Sequence, residues 1–205
     1  MSGLRVAVLA SGAGTNLQAI LDTVHGREGI ELVAVAGDEP AAPAFERARA
    51  AGLEVGVFEE QGFADRAARD AAMAEWLAER DVGLVVLAGY MRLLSEAFLA
   101  RFPNRVINVH PALLPAFAGL DAIQQAIDYG VKVFGVTVHF VDGGVDSGPV
   151  ILQRAIELPD PVDAEAVHDL LRPLEHELLP EAIRLIARGA VSFDETNPRR
   201  VVIRD

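Results

Sequence analysis

Asn108 and His110 stand two residues apart at the end of an apolar run, directly before Pro111. In a strand, residues i and i+2 share a face, so a carboxamide and an imidazole point the same way. Both can donate to one oxygen, and a carbonyl under attack develops negative charge on that oxygen. A free imidazole has a pKa near about 6.5, so a histidine meant to act as a charged donor at pH 7 needs a carboxylate beside it. Asp146 is the leading candidate, within the turn-rich stretch Asp142-Gly-Gly-Val-Asp-Ser-Gly148, and Asp142 competes with it. An Asp in such a turn can also do no more than cap the loop. A second constellation is Ser11-Gly-Ala-Gly-Thr15-Asn16. Gly12 and Gly14 ahead of a helix N-terminus let backbone N–H groups approach a phosphate, and Thr15 and Asn16 add side-chain donors. The same two glycines can also merely turn a corner between strand and helix.

Other chemistries find no support. A nucleotide-hydrolase phosphate loop needs Gly-Lys-Ser/Thr, and no Lys is near. The dinucleotide fingerprint needs Gly at position 17, which is Leu17. Asp38 stands where a ribose-binding acid would lie, yet Asp38-Glu39-Pro40 is also an ordinary turn, so a nicotinamide cofactor is the runner-up. There is no H-x-x-x-H or H-E-x-x-H spacing for a metal and no G-x-S-x-G nucleophile elbow. With no Cys, thiol nucleophiles, disulfides and thiolate metal sites are excluded. His139, alternating with Val138 and Phe140 in a strand, reads as a second-layer residue; His25 and His168 read as helix-surface residues.

The elements that must carry these groups alternate. Leu4–Ala10 reads as a strand, followed by the glycine turn and a helix with Leu17, Ile20, Leu21 and Val24 on one face. Glu31–Gly37, Leu53–Phe58 and Gly83–Ala88 read as further strands, separated by helices at 41–51 and 63–80. A short helix at 95–101, a strand at 105–110 and a helix at 121–129 follow. Two β-rich runs, 133–141 and 149–157, flank the 142–148 turn as a hairpin. A helix at 163–188 closes the main part, bent or interrupted at Pro173 and Pro180, and the tail from Val191 can add a short hairpin. Strands joined by helices imply an α/β fold: one Rossmann-like domain with a mostly parallel sheet, helices on both faces and an antiparallel hairpin in the C-terminal part. The expected boundaries are 1–190 for the catalytic domain and 191–205 for a C-terminal tail. Ligands in such sheets bind beyond the carboxyl ends of the strands, at 11–16, 37–40, 89–94, 108–119 and 142–148.

At 205 residues, with 51% hydrophobic and 23% charged residues, the chain has the material for one core. Its 18 basic and 30 acidic residues leave a net charge of −12, which repels nucleic-acid phosphates and anionic membranes. Small molecules are the expected partners, with no nucleic acid and no membrane, and the chain is expected to be a monomer or homodimer. No apolar run approaches the roughly 20 residues of a membrane span, and the apolar start is too brief for a signal peptide, so the expected location is the cytoplasm.

Four motifs in order, Ser11-Gly-Ala-Gly-Thr-Asn-Leu-Gln18, Leu87-Ala-Gly-Tyr-Met-Arg-Leu-Leu94, Ile107-Asn-Val-His-Pro-Ala-Leu-Leu-Pro115 and Val141-Asp-Gly-Gly-Val-Asp-Ser-Gly-Pro149, closely resemble the phosphoribosylglycinamide formyltransferases, across residues 4–190. The resemblance implies that 10-formyltetrahydrofolate is the co-substrate, that no metal takes part, and that Asn108, His110 and Asp146 are catalytic. It implies that Gly14, Thr15 and Asn16 bind the ribonucleotide phosphate, and that Arg172 and Glu175 meet the acceptor. Arg66, Met91, Arg92, Leu93, Leu94, Asn108, Val141 and Asp142 are implied on the folate side. Ala112 and Ala118 depart from the family's usual Ser and Pro, and Gly37-Asp38 from its usual Ser-Asn or Ser-Asp. A formyltetrahydrofolate hydrolase has a related catalytic domain but carries an additional N-terminal regulatory domain, whereas the first strand here is expected from residue 4.

Overall fold

The computed structural model describes residues 3–161 and 163–204, which fall into two compact units, the first running to Ile107 and the second from Asn108. The first unit alternates β1 (Leu4–Leu9), α1 (Thr15–Thr23), β2 (Ile30–Gly37), α2 (Pro43–Ala50), β3 (Glu54–Val57), α3 (Arg66–Ala78), β4 (Leu84–Leu87) and α4 (Glu96–Arg101), then enters β5 (Val106–His110). Its strands lie in the order β3-β2-β1-β4, all parallel. Val6–Leu9 and Leu84–Leu87 are buried throughout, as expected for strands covered on both faces. The sequence steps outward from β1 to β2 and β3, then returns to lay β4 on the other side of β1. That reversal is a topological switch point, the place at which open α/β sheets bind ligands. Leu9 is in register with both Ala36 and Leu87, so the loops after β1, β2 and β4 start at one level.

Local chemistry sets the helix ends. Pro43 opens α2 with its φ preset and no N–H to satisfy. Asp65 caps α3, accepting from Ala68 N at 2.8 Å, so that helix starts at Arg66 rather than at Phe63. Ser95 caps α4 through Phe98 N, and its own N–H donates to buried Asp70 at 2.6 Å. Arg69, also buried, balances that carboxylate at 2.8 Å, so α3 and α4 are joined by a charge pair whose hydrogen bonds are satisfied.

The second unit holds the rest of β5, α5 (Ala122–Tyr129), β6 (Val133–Phe140), β7 (Val150–Glu157), α6 (Ala164–Ala187), β8 (Val191–Phe193) and β9 (Val201–Ile203). β6 and β7 form the expected antiparallel hairpin, with a register shift between Val138 and His139. Of the expected bend or interruption at Pro173 and Pro180, the interruption does not occur, for α6 runs unbroken for 24 residues with both prolines inside it. Leu171, Leu178, Leu179, Ala182 and Ile183 are fully buried along its length, and that apolar burial outweighs the two backbone hydrogen bonds the prolines forfeit. The tail does form a hairpin. Phe193 packs on Phe140 at 5.0 Å between ring centroids, and Arg199 Nη2 donates to the Ser147 carbonyl at 2.5 Å.

Candidate active site

In the first unit the glycine loop leaves β1 and enters α1 through Gly14, whose φ is 72°. A side chain there meets the left-handed backbone penalty, and its Cβ would lie 2.7 Å from Ala44 Cα on α2. Gly37 serves a different need, because a Cβ at that position would lie 2.1 Å from the Ala10 carbonyl oxygen. Thr15 is the first residue of α1, and Asn16 is buried beneath the loop. Thr15 and Asn16 thus stand in the first turn of α1 behind a cap residue with no side chain, at a helix N-terminus whose dipole favours an anion. Arg47 of α2, which sequence reasoning missed, reaches this loop: its Nε donates to the Ala13 carbonyl at 2.9 Å and its Nη1 to Gln18 Oε1 at 3.1 Å.

Asp38, after β2, has both carboxylate oxygens engaged. Ser11 Oγ donates to one and Arg92 Nε to the other, each at 2.6 Å. Burial pushes its carboxyl up, but those two hydrogen bonds and the guanidinium charge outweigh burial and hold it below the usual carboxylate value. A carboxylate so occupied is poorly placed to take a ribose hydroxyl, which removes the main support for a nicotinamide cofactor. Along the loop after β4, Met91 and Leu93 are 64% and 56% exposed, and Leu94 is half-buried. Burial pushes the Tyr90 hydroxyl up to about 12, and it has no hydrogen-bond partner among the described residues. Arg66 is exposed at the start of α3.

The second unit assembles the proposed trio. His110, buried at the end of β5, has Nδ1 3.3 Å from Asp146 Oδ2 and Nε2 2.9 Å from the Phe117 carbonyl oxygen. Both ring nitrogens thus face oxygen atoms. Asn108 Nδ2 lies 3.3 Å from Asp146 Oδ1 and 3.3 Å from His139 Nε2. His139 stands on the shifted register of β6, with Nδ1 2.8 Å from the Phe140 carbonyl and Nε2 3.5 Å from Asp146 Oδ1. Asp146 thus sits among two imidazoles and a carboxamide, and Gly119 N donates to its Oδ2 at 2.8 Å. Burial raises the Asp146 carboxyl, while the hydrogen bond with His139, the Gly119 N–H and the two imidazoles together hold it below the usual value. Its φ of 47° is a left-handed conformation that Asp tolerates better than most residues.

Asp142 does not compete for His110. It braces its own loop, accepting from Ser147 Oγ at 2.6 Å and Gly144 N at 3.1 Å, and Val141 beside it is half-buried. The Pro-rich stretch is pinned at its base: Thr137 Oγ1 donates to the Ala112 carbonyl at 2.7 Å and accepts from Leu114 N, and Gln153 Nε2 donates to the Leu114 carbonyl at 2.9 Å. On α6, Glu175 is buried and lies 3.7 Å from His168, whose pKa is raised chiefly by that carboxylate. Arg172 pairs with Asp169 one turn earlier at 2.7 Å. His168 does lie on the surface of α6, with 46% of its side chain exposed, and is paired there with Glu175. His25 lies beyond α1 and accepts from Leu32 N at 3.0 Å. Among the described residues no group of three His, Asp or Glu could hold a metal, and no helix is long and apolar enough to cross a membrane.

The formyl transferase family model matches residues 4–183. The chain is 40% identical over 181 residues to phosphoribosylglycinamide formyltransferase of Bacillus subtilis, covering 88% of this chain and 93% of that one. It is 39% identical over 192 residues to the trifunctional purine biosynthetic protein adenosine-3 of Bos taurus, covering 93% of this chain but only 19% of that much longer protein. The crystal structure of glycinamide ribonucleotide transformylase 1 from Symbiobacterium toebii superposes with a TM-score of 0.95 at 47% identity, over 100% of this chain and 95% of that one. A match over most of the chain's length, in sequence and in fold, makes this chain a member of the formyl transferase family.

Proposed function

We propose that the chain transfers the formyl group of 10-formyltetrahydrofolate to the amine of N1-(5-phospho-D-ribosyl)glycinamide, a step of de novo purine synthesis. The observation that carries this reading is the Asp146 carboxylate held between His110 and Asn108, a charge-bearing donor set with no nucleophile in it. The names of the Bacillus subtilis and Symbiobacterium toebii relatives support the choice of acceptor. On this reading the amine nitrogen forms a bond to the formyl carbon, the bond from that carbon to N10 breaks, and the amine proton ends on N10. His110 donates to the formyl oxygen from Nε2, which exchanges the Phe117 carbonyl for the oxyanion. Asn108 Nδ2 supplies the second donor, and its protein contacts at 3.3 Å are long enough to be given up cheaply. Asp146 holds the imidazolium and accepts the proton of the attacking amine on its way to N10.

The substrate contacts follow. Gly14, Thr15 and Asn16 take the ribonucleotide phosphate at the N-terminus of α1, with Arg47 as the nearest cation on α2. Glu175 and Arg172 face the acceptor. Met91, Leu93 and Leu94 give the folate ring an apolar edge, with Arg66, Val141 and Asp142 on the same substrate. No metal enters the scheme. The test is product analysis with 10-formyltetrahydrofolate, with and without the acceptor. Formylated glycinamide ribonucleotide appearing one for one with tetrahydrofolate is the expected result. Deformylation that ignores the acceptor identifies a hydrolase and overturns the assignment.

A further inference from the structure

Arg92 is the one arginine of the 89–94 loop, and its guanidinium is already engaged. Nε lies 2.6 Å from Asp38 Oδ2 and Nη1 3.3 Å from Glu60 Oε2. Asp38 is almost wholly buried, with 6% of its side chain exposed, and its other oxygen accepts from Ser11 Oγ at 2.6 Å. Ser11 Oγ in turn accepts from Met91 N at 3.3 Å, while Ser11 N donates to the Gly89 carbonyl at 3.1 Å. The loops after β1, β2 and β4 and the turn at Glu60–Gly62 are thereby closed into one circuit that passes through Asp38 and Arg92. Around that guanidinium stand Asp38, Glu39, Glu59 and Glu60, which with Pro40 and Gln61 line a cavity of about 370 Å³. Two carboxylates touch the one cation and two more acidic residues line the same cavity, so the local charge is net negative and disfavours an incoming anion.

We propose that Asp38 and Arg92 form a clamp that fixes the backbone of the 89–92 loop for the formyl donor, and that Arg92 in this chain is a positioning residue, not the receptor for the donor's anionic end. The proposal rests on the reading of this loop as the donor side. Breaking the pair leaves a buried carboxylate with one partner fewer, which loosens the loop more than loss of an exposed ion pair would. Met91 and Leu93 then lose their fixed backbone, and donor binding weakens whatever the donor carries at its far end.

The experiment compares Asp38→Asn and Arg92→Gln by initial rates on two donors, 10-formyltetrahydrofolate and the corresponding pteroate without its glutamate. Each variant is expected to raise KM for both donors by the same factor, about tenfold, the weight of one charge-assisted hydrogen bond. Acceptor KM stays put, and the double variant is no worse than either single one. Arg92→Gln raising KM only for the glutamate-bearing donor while Asp38→Asn stays silent would make Arg92 the anion receptor and overturn the clamp. Hydrogen exchange of the amides at 89–92 reads the clamp with no donor present. Faster exchange in Asp38→Asn is expected even if the wild type transfers no formyl group, and unchanged exchange refutes the clamp independently of the proposed reaction.

Discussion

Replacing Asp146 by Asn removes the charge of one carboxylate, and with it the proposed proton relay, with almost no change of shape. The amide oxygen can still accept the Gly119 N–H, which the carboxylate takes at 2.8 Å, so the turn at 142–148 and its left-handed residue are retained. What disappears is the negative charge 3.3 Å from His110 Nδ1. With an effective dielectric of about 20, a unit pair at that distance interacts by about 5 kcal/mol. The Asn dipole and solvent at the half-buried site recover part of this, which leaves a loss of about 3–4 kcal/mol in stabilising an imidazolium that faces the oxyanion. At 1.36 kcal/mol per decade the expected fall in kcat is about two to three orders of magnitude, with the KM of both substrates changed only a few-fold. The assay is single-turnover formyl transfer at saturating acceptor, beside a thermal melt of the same preparation. A variant that melts with the wild type and transfers within about tenfold of its rate refutes the role given to this carboxylate.

Other expectations concern stability and the first unit. Asp146 has a folded pKa below its unfolded value of about 3.9, so its stabilisation is present in full above that value and is lost as pH falls through the folded one. The wild type should therefore lose stability more steeply than Asp146→Asn below about pH 4 in denaturant titrations; parallel curves would contradict this. His139→Ala removes a buried ring whose nitrogens face the Phe140 carbonyl and Asp146, and it should cost about 1–3 kcal/mol by chemical denaturation, since those groups lose a partner. Gly14→Ala should destabilise by more than about 1 kcal/mol and raise acceptor KM, because the residue sits at φ 72° against Ala44; an unchanged melt and KM would show that the loop yields.

The alternation of strands and helices was legible because each element carries its own period, and caps such as Asp65 and Ser95 account for ends displaced by a few residues. The pairing of Asn108 with His110 was legible for the same reason, as a two-residue spacing within one strand. The choice between Asp142 and Asp146 was not decided by composition, because both sit in one turn; only the hydrogen bonds of Ser147 and Gly144 assign the bracing role to Asp142. His139 looked like a second-layer side chain, and its approach to Asp146 depends on a register shift that alternation cannot signal. Arg47 and Asp38 act across 34 and 54 residues of sequence, distances over which no local pattern operates. The continuity of α6 through two prolines was hidden because burial, not propensity, holds that helix together.

The Arg199 hydrogen bond to the Ser147 carbonyl ties the β8–β9 hairpin mechanically to the loop of Asp146. Ser147 follows Asp146 directly, and Phe193 leans on Phe140, the neighbour of His139. Two residues beside the Asp146 carboxylate and His139 are thus buttressed from the β8–β9 hairpin. A fusion partner, a clipped terminus or a crowded affinity tag that pries β9 from β8 would act as a lever on the loop of Asp146, and any activity lost that way would be mistaken for damage at the proposed site itself.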